Sequence, residues 1–444
     1  NSDINIATGN AGTQHVTSYA TDSEGNYFKD SGNNDMPSSY QVITNRKFDS
    51  RSNVANQNVF TYLNSEATVP VSIQEIRSAG FLSSGVAHEQ VIAELDTDMN
   101  VYEVKFVTNE NVSVQGYVGS STTTRYEALS GAITDADTVS TLKGKIDESK
   151  YIDRKDVSSD WTAGEFDLRG NALKQKVETY FRDENGIERR YEVQEITNAA
   201  YDAHDRTNYS EIKTTSRDWE GGIETVYDPQ LQKISTTSYD MYGNAEEQNI
   251  ELYSYDVSGQ EQLAEYKTIS NTYADQEAAF RGNATHTQVV RYLSFETVDG
   301  VKTGVDKIER QETENTFDSY KNVLTSDTLT YVTIGSVETL SRRTYTENFD
   351  INIATGNAAT QHVTSYATDA DGNYFKDSGN NDMPSSYQVL TNRKFDSRGN
   401  VANQNVFTYL NSSATVPVSI QEIRSSGFLS SGVAHEQVIA ELDT

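Results

Sequence analysis

Two short acidic stretches are the first places to look for chemistry. Asp369-Ala370-Asp371-Gly372-Asn373, with Asp377 beyond, alternates oxygen-bearing side chains ahead of a glycine. Hard cations such as calcium take that kind of ligand set. Its near-copy is Asp22-Ser23-Glu24-Gly25-Asn26, with Asp30. The glycine comes one place too early for an EF-hand, and no glutamate closes the loop. Asx turns are written with the same letters. Asp369, Asp371, Asn373 and Asp377 are therefore candidate ligands for a structural calcium ion, with a plain turn as the competing reading.

Other chemistry is thinly represented. His15 and His362 are one position in two copies of a repeated segment, as are His88 and His435, while His204 and His286 stand alone. No His-x-x-x-His pair or Gly-x-Ser-x-Gly elbow is present. With 66 Asp and Glu residues, paired carboxylates select nothing. Trp161 and Trp219 are isolated and suit packing better than ligand binding. The expectation is that the chain is not an enzyme and that no residue is catalytic. Cysteine is absent, so disulfides and thiolate metal sites are excluded. A net charge of −30 argues against nucleic acid or an anionic membrane as partner. No apolar run is long enough to span a bilayer as a helix.

The elements that must carry these residues repeat along the chain. FDLRGNALKQKVETYF at Phe166–Phe181 has relatives at Phe48–Leu63, Tyr239–Tyr255, Phe280–Leu293 and Phe317–Val332. Asp-x-x-Gly-Asn is turn chemistry, because Asp bonds its own downstream backbone and Gly or Asn tolerates positive φ. Alternating polar and apolar residues flank it, as in half-buried strands. Each copy reads as a β-hairpin, with turns near Gly170-Asn171, Gly243-Asn244 and Gly282-Asn283. The turn anchors are Asn10, Asn53, Asn171, Asn244, Asn283, Asn322, Asn357 and Asn400, with weaker ones near Val86, Gly131 and Arg206.

Six residues past the anchor stand Val16, Val59, Val177, Ile250, Val289 and Thr328; nine past it stand Tyr19, Tyr62, Tyr180, Tyr253, Tyr292 and Tyr331. Six and nine differ in parity, so a strand sends the two sets to opposite faces. One face carries a Val/Ile row and the other a tyrosine row, either plain sheet packing or an aromatic strip for sugars. Asp135–Tyr151 holds helix formers and can supply a short helix.

Two periods are nested. Asp3–Thr97 returns as Asp350–Thr444, offset by 347 residues with seven changes, among them Ser52 to Gly399 at the turn. Residues 1–347 then form one super-repeat of about nine hairpins, each near 39 residues, and 348–444 open the next. Asn1 falls inside a repeat, so the chain reads as a cut from something longer. A lone hairpin is marginal in water, so successive hairpins must stack to hide the apolar row and pair their edges. The expected fold is all-β: stacked antiparallel hairpins forming an extended spiral, tube or solenoid.

The aromatic-Asp pairs Phe48-Asp49, Phe166-Asp167, Tyr239-Asp240, Phe317-Asp318 and Phe395-Asp396 give a motif that resembles the YD repeats of Rhs and toxin-complex proteins. That resemblance implies hairpins coiling into a strand-lined shell, in large surface or secreted proteins or around a toxin. This sequence has Gly-Asn where the family has Gly-Arg, a longer spacing, and no self-cleaving closing region. The expected function is a structural repeat segment of a very large extracellular or cell-surface protein forming a filament, tube or shell. Its partners are adjacent repeats of its own chain and, through self-assembly into fibres, other chains. An adhesin holding glycans or calcium and a toxin-encapsulating Rhs-like shell are the alternatives. No cofactor is expected beyond the calcium already considered.

Overall fold

Strand-forming Thr, Val, Tyr and Ile alternate with charged residues through most of the chain, and short Asp/Asn/Gly clusters interrupt them. The computed structural model describes residues 1–5, 8–22, 24–183, 185–220, 222–429 and 432–443. Among the described residues the pattern yields 25 strands and two short α-helices.

The chain divides into two compact units. The first comprises Asn1–Arg182, Glu188–Thr207 and Met241–Gly243; the second comprises Asp183–Ile187, Asn208–Asp240 and Asn244–Thr444. In the first unit lie β1 Ser2–Ile4, β2 Ala11–Tyr19, β3 Pro37–Phe48, β4 Val54–Tyr62, β5 Ser72–Phe81, β6 Ala87–Leu95, β7 Val101–Val112, β8 Val118–Tyr126, β9 Tyr151–Ser158, β10 Lys174–Arg182 and β11 Glu188–Asn198. Each pairs antiparallel with the next. This ladder coils back on itself, for the Thr21 hydroxyl meets His204 Nε2 at 2.6 Å.

The second unit holds β12 Tyr209–Glu220, β13 Ile223–Val226, β14 Gln230–Tyr239, β15 Ala245–Tyr255, β16 Glu261–Thr272, β17 His286–Val298, β18 Val301–Phe317, β19 Val323–Ile334, β20 Val337–Ile351, β21 Ala358–Ala367, β22 Ser386–Phe395, β23 Val401–Tyr409, β24 Ser419–Phe428 and β25 Ala434–Leu442. From β14 to β25 each strand again pairs antiparallel with its successor. Strand β12 pairs with β14 and carries β13 as a side ribbon. It also approaches β24, far along the same ladder. The all-β stack of antiparallel hairpins expected from the repeats is what forms, and it coils within each unit.

The core is thin, as a low apolar content requires. Its densest part lies in the first unit, where Val91, Ala93 and Val104 are fully buried with Phe106 and Tyr126. The helix expected in Asp135–Tyr151 forms as α1, Val139–Lys143, capped by Thr138 in a capping box with Thr141. It drops Val139 and Leu142 onto that cluster. Burying such side chains contributes roughly 1.5–3 kcal/mol each.

Two expected turns take other forms. Gly282-Asn283 does not close a β-turn. Asp275 caps a second helix, α2, Gln276–Arg281, and Gly282 ends it in the left-handed region. Good helix formers in QEAAFR prevail there over the hairpin pattern. Gly131 is not an anchor either; its place in the series is taken by Ser113–Tyr117, where serine replaces the aspartate.

Candidate functional site

The recurring loop is a closed five-residue box. In Asp49–Asn53 the Asp49 N–H donates to the Asn53 carbonyl at 2.9 Å, and the Ser52 N–H returns to the Asp49 carbonyl at 3.1 Å. Asp49 Oδ1 accepts the N–H groups of Arg51 and Asn53 at 2.8 and 2.9 Å, and Oδ2 accepts the Asn53 side-chain amide at 2.9 Å. These bonds favour the ionised carboxylate. The Asn53 side chain, followed by burial acting the other way and then the backbone donors, leaves Asp49 below the usual aspartate range.

Asn53, Asn171, Asn244, Asn322 and Asn400 all close boxes of this kind. Asn10 and Asn357 close a six-residue version opened by Asn5 and Asn352. Asn283 sits beyond the cap of α2, its N–H on the Ala278 carbonyl at 2.9 Å. The weak anchors Val86 and Arg206 close the loops Leu82–Val86 and Asp202–Arg206. Sequence reasoning passed over Asp96–Asn100, Asp183–Ile187 and Asp256–Gln260, boxes at other hairpin connections. An aspartate four residues ahead of the closing position was the signal that could have found them.

The loops also bind one another. In the first unit, Arg51 donates to the carbonyls of Phe81 and Leu82 in the following turn. Arg169 donates to the carbonyls of Tyr201 and Asp202, and the Asn171 amide reaches Asp205 Oδ1 at 2.7 Å. In the second unit, the Asn244 amide bonds the Ala279 carbonyl at 2.6 Å, Arg281 bonds the Ser319 carbonyl, and Arg398 bonds those of Phe428 and Leu429. Glycines make the approach close: a Cβ on Gly282, Gly356 or Gly432 would stand 3.2 Å from the Oδ1 of Asn244, Asn322 or Asn400. Each unit therefore carries a spine in which these turns are seated on one another.

The tyrosine row has a position of its own. Tyr19, Tyr180, Tyr253, Tyr292 and Tyr331 each stand where the pairing to the next strand slips at a β-bulge. A bulge turns the partner strand and sharpens its twist. Tyr62 ends β4, tilted against Tyr40 with centroids 6.1 Å apart. Cations lie over three of the rings: Arg154 on Tyr180 at 4.0 Å, Lys233 on Tyr253 at 4.5 Å and Arg310 on Tyr331 at 3.8 Å. The opposite row is uneven. Val59 and Ile250 are buried, Val177, Val289 and Thr328 half-buried, and Val16 exposed. Among the described residues short β1 pairs only with Thr13 and Ala11, so Val16 has a neighbour strand on one side only, at Gln41 of β3. Its copy Val363 has strands on both sides and is half-buried.

One face of the first unit is sealed by a polar plug. Arg77 is 1% exposed and donates to Glu75 Oε2 at 2.8 Å and to the Thr134 and Asp137 carbonyls at 3.0 Å. Arg46 grips Glu75 with two bonds, at 2.7 and 2.9 Å, and the Asn58 amide adds a third at 2.9 Å. The Asn56 amide holds the Asp135 carbonyl at 2.7 Å. Asp137 folds the covering turn by accepting the Thr134 N–H at 2.7 Å and Lys145 Nζ at 2.8 Å. Burial opposes ionisation of Asp137, but Lys145 and Thr134 outweigh it and hold the carboxyl far below its ordinary range.

Asp369, Asp371, Asn373 and Asp377 fall in two successive loops of the same box design. Asp369 Oδ1 accepts the Asp371 and Asn373 N–H groups at 3.0 and 2.9 Å. Asp377 Oδ1 accepts those of Gly379 and Asn381 at 2.8 and 2.9 Å. In the near-copy at Asp22, Ser23 lies outside the described residues. Among the described residues, no three His, Cys, Asp or Glu side chains converge as a metal site. His15 and His362 meet Tyr40 and Tyr387, His88 the Asn109 carbonyl, and His286 Glu314. No helix among the described residues is long and apolar enough to cross a membrane.

No protein-family model and no curated protein matches the chain. Among solved structures it is similar to TcdB2-TccC3-Cdc42, at 11% identity over 96% of this chain and 23% of that chain, with a TM-score of 0.20. TcdB2-TccC3 matches at 12% identity over 93% of this chain and 22% of that one, TM-score 0.20. A mutant Photorhabdus luminescens Tc holotoxin pore matches at 12% identity over 96% and 21%, TM-score 0.20. The chain thus spans less than a quarter of the length of these chains.

Proposed function

We propose that this chain is a structural repeat segment of a very large extracellular or cell-surface protein, and that its hairpin ladder builds a filament, tube or shell. The observation that carries the reading is the spine of turns, in which one hairpin's loop binds the loop that follows on the same edge. A unit that presents a donor on one side and its own carbonyls on the other extends by addition of further units. The chain works mechanically, without catalysis and without a cofactor. Its partners are its own neighbouring repeats and, in fibres, other copies of the chain. The net charge of −30 keeps parallel assemblies apart and soluble. An Rhs-like shell is the closed form of the same assembly, and the aromatic-Asp loops support it.

Negative-stain images of the purified chain test the assembly. Elongated or coiled particles of constant width are expected, and compact globules would overturn the reading. Antibody labelling of intact against permeabilised source cells tests the location. Signal confined to permeabilised cells would remove the surface assignment.

A further inference from the structure

The near-identical segments Asp3–Thr97 and Asp350–Thr444 present one polar face twice, and among the described residues only the first carries a cover. In the first, Arg46, Asn56, Asn58, Glu75 and Arg77 lie beneath the Thr134–Lys145 segment. Their counterparts are Arg393, Asn403, Asn405, Glu422 and Arg424, and none of the seven substitutions falls among them. The chemistry is preserved but the surroundings are not. The Arg77 side chain is 1% exposed and that of Arg424 is 68% exposed. Arg46 bonds Glu75 at 2.7 Å, whereas Arg393 stands 3.6 Å from Glu422. Asn403 Oδ1 and Asn405 Oδ1 are buried and have no hydrogen-bond partner among the described residues.

We propose that this second face, on β22, β23 and β24, is a docking site for a second copy of the Thr134–Lys145 cover. The recognition chemistry can be read from the occupied copy. Two carbonyl acceptors at the ends of a tight turn, those of Thr134 and Asp137, receive the arginine fork. The Asp135 carboxylate, 3.2 Å from Arg46 in the first copy, meets Arg393 in the second. Its backbone carbonyl takes the Asn403 amide, as it takes that of Asn56. Docking draws Arg393 onto Glu422 and Asn403, because in the covered face Arg46 bonds both Glu75 and Asn56. The cover thus acts as a lock applied once per super-repeat, joining a distant segment of the ladder to hairpins already laid down.

The test compares three proteins by arginine modification with phenylglyoxal, read by mass spectrometry. In the 444-residue chain, Arg424 should react readily and Arg77 should not. The second protein appends a copy of Asp98–Ser158 after Thr444, so that the natural Thr97-Asp98 junction is rebuilt. Modification of Arg424 should there slow by roughly tenfold or more. The third carries the same extension with its Thr134–Lys145 copy replaced by a Gly/Ser linker, and Arg424 should react as in the parent chain. Circular dichroism verifies that the added strands fold. Unchanged reactivity of Arg424 in the second protein would overturn the proposal. So would equal protection in the third, which would assign the effect to the added strands.

Discussion

Asn171 donates its side-chain amide to Asp205 Oδ1 at 2.7 Å and to Asp167 Oδ2 at 3.0 Å. One side chain therefore closes its own loop and holds the loop that follows. Asp205 is largely exposed, so solvent screens the bond and its direct contribution to stability is small. The bond's larger effect is on register, since a hairpin whose turn is fixed to its neighbour cannot slide along the shared edge.

The loops should be intolerant of a side chain where they touch. Gly170 has φ +92°, and a Cβ there would stand 2.9 Å from the Tyr117 ring. That ring cannot easily retreat, because it stacks on Phe166 with centroids 5.5 Å apart and its hydroxyl donates to the Leu168 carbonyl. Gly170→Ala should destabilise the surrounding hairpins by about 1–3 kcal/mol. Gly131→Ala, with nothing within 4 Å of the new Cβ, should change stability by less than about 0.5 kcal/mol. Hydrogen exchange on β8 to β11 is the suitable measurement, since repeat arrays need not unfold in one step.

Acid should loosen the spine. The Asn373 N–H heads the causes that lower Asp369, and the Asn381 N–H does the same for Asp377. In Asp49 the Asn53 side chain leads. A carboxyl whose folded pKa is depressed stabilises the fold above its unfolded pKa, and that stabilisation is lost as pH falls through the folded value. The melting temperature should be nearly flat from about pH 8 to about pH 5 and fall progressively below about pH 4. Thermal melts across that range check it. A melting temperature that rose on acidification would contradict the box geometry.

The repeat was legible because the loop needs particular letters: an acceptor at the first position, positive φ before the last, and an amide to close. Where serine replaces the aspartate at Ser113, or Leu82 opens the loop, the backbone keeps the shape and the letters no longer reveal it. The bulge beside five of the six tyrosines leaves no mark in composition, since the extra residue lies on the partner strand. The plug was illegible for a different reason. Arg77 reads as a charged strand residue with a solvated side chain until Thr134 and Asp137, 57 and 60 residues on, are brought above it.

The two arginines of that comparison should differ in cost. Arg77→Ala leaves the Glu75 carboxylate, Arg46 as its remaining cation, beneath the cover, removes the bond to Glu75, and removes the two bonds that hold the cover down. Breaking a buried pair in this way costs about 3–5 kcal/mol. Arg424→Ala, at an exposed position, should cost less than about 0.5 kcal/mol. Urea unfolding followed by hydrogen exchange at α1 and β5 checks both. Arg77→Lys should rescue little, because one ammonium cannot span the carbonyls and the carboxylate as the planar fork does.

Calcium should leave the chain unchanged. A calcium site needs six to eight oxygens at about 2.3–2.6 Å. Oδ1 of Asp369 and of Asp377 already accepts two backbone N–H groups, and each carboxylate also receives a side-chain amide, from Asn373 or Asn381. Turning these oxygens towards an ion would open both boxes, exchanging bonds the fold already makes for new ones. With about 5 mM calcium the melting temperature should match that in magnesium or chelator, because an ion that binds no better to the folded chain adds no stability. A calcium-specific rise of several degrees, lost in Asp371→Ala, would instead place an ion between the two loops and return Asp369, Asp371, Asn373 and Asp377 to the role of ligands.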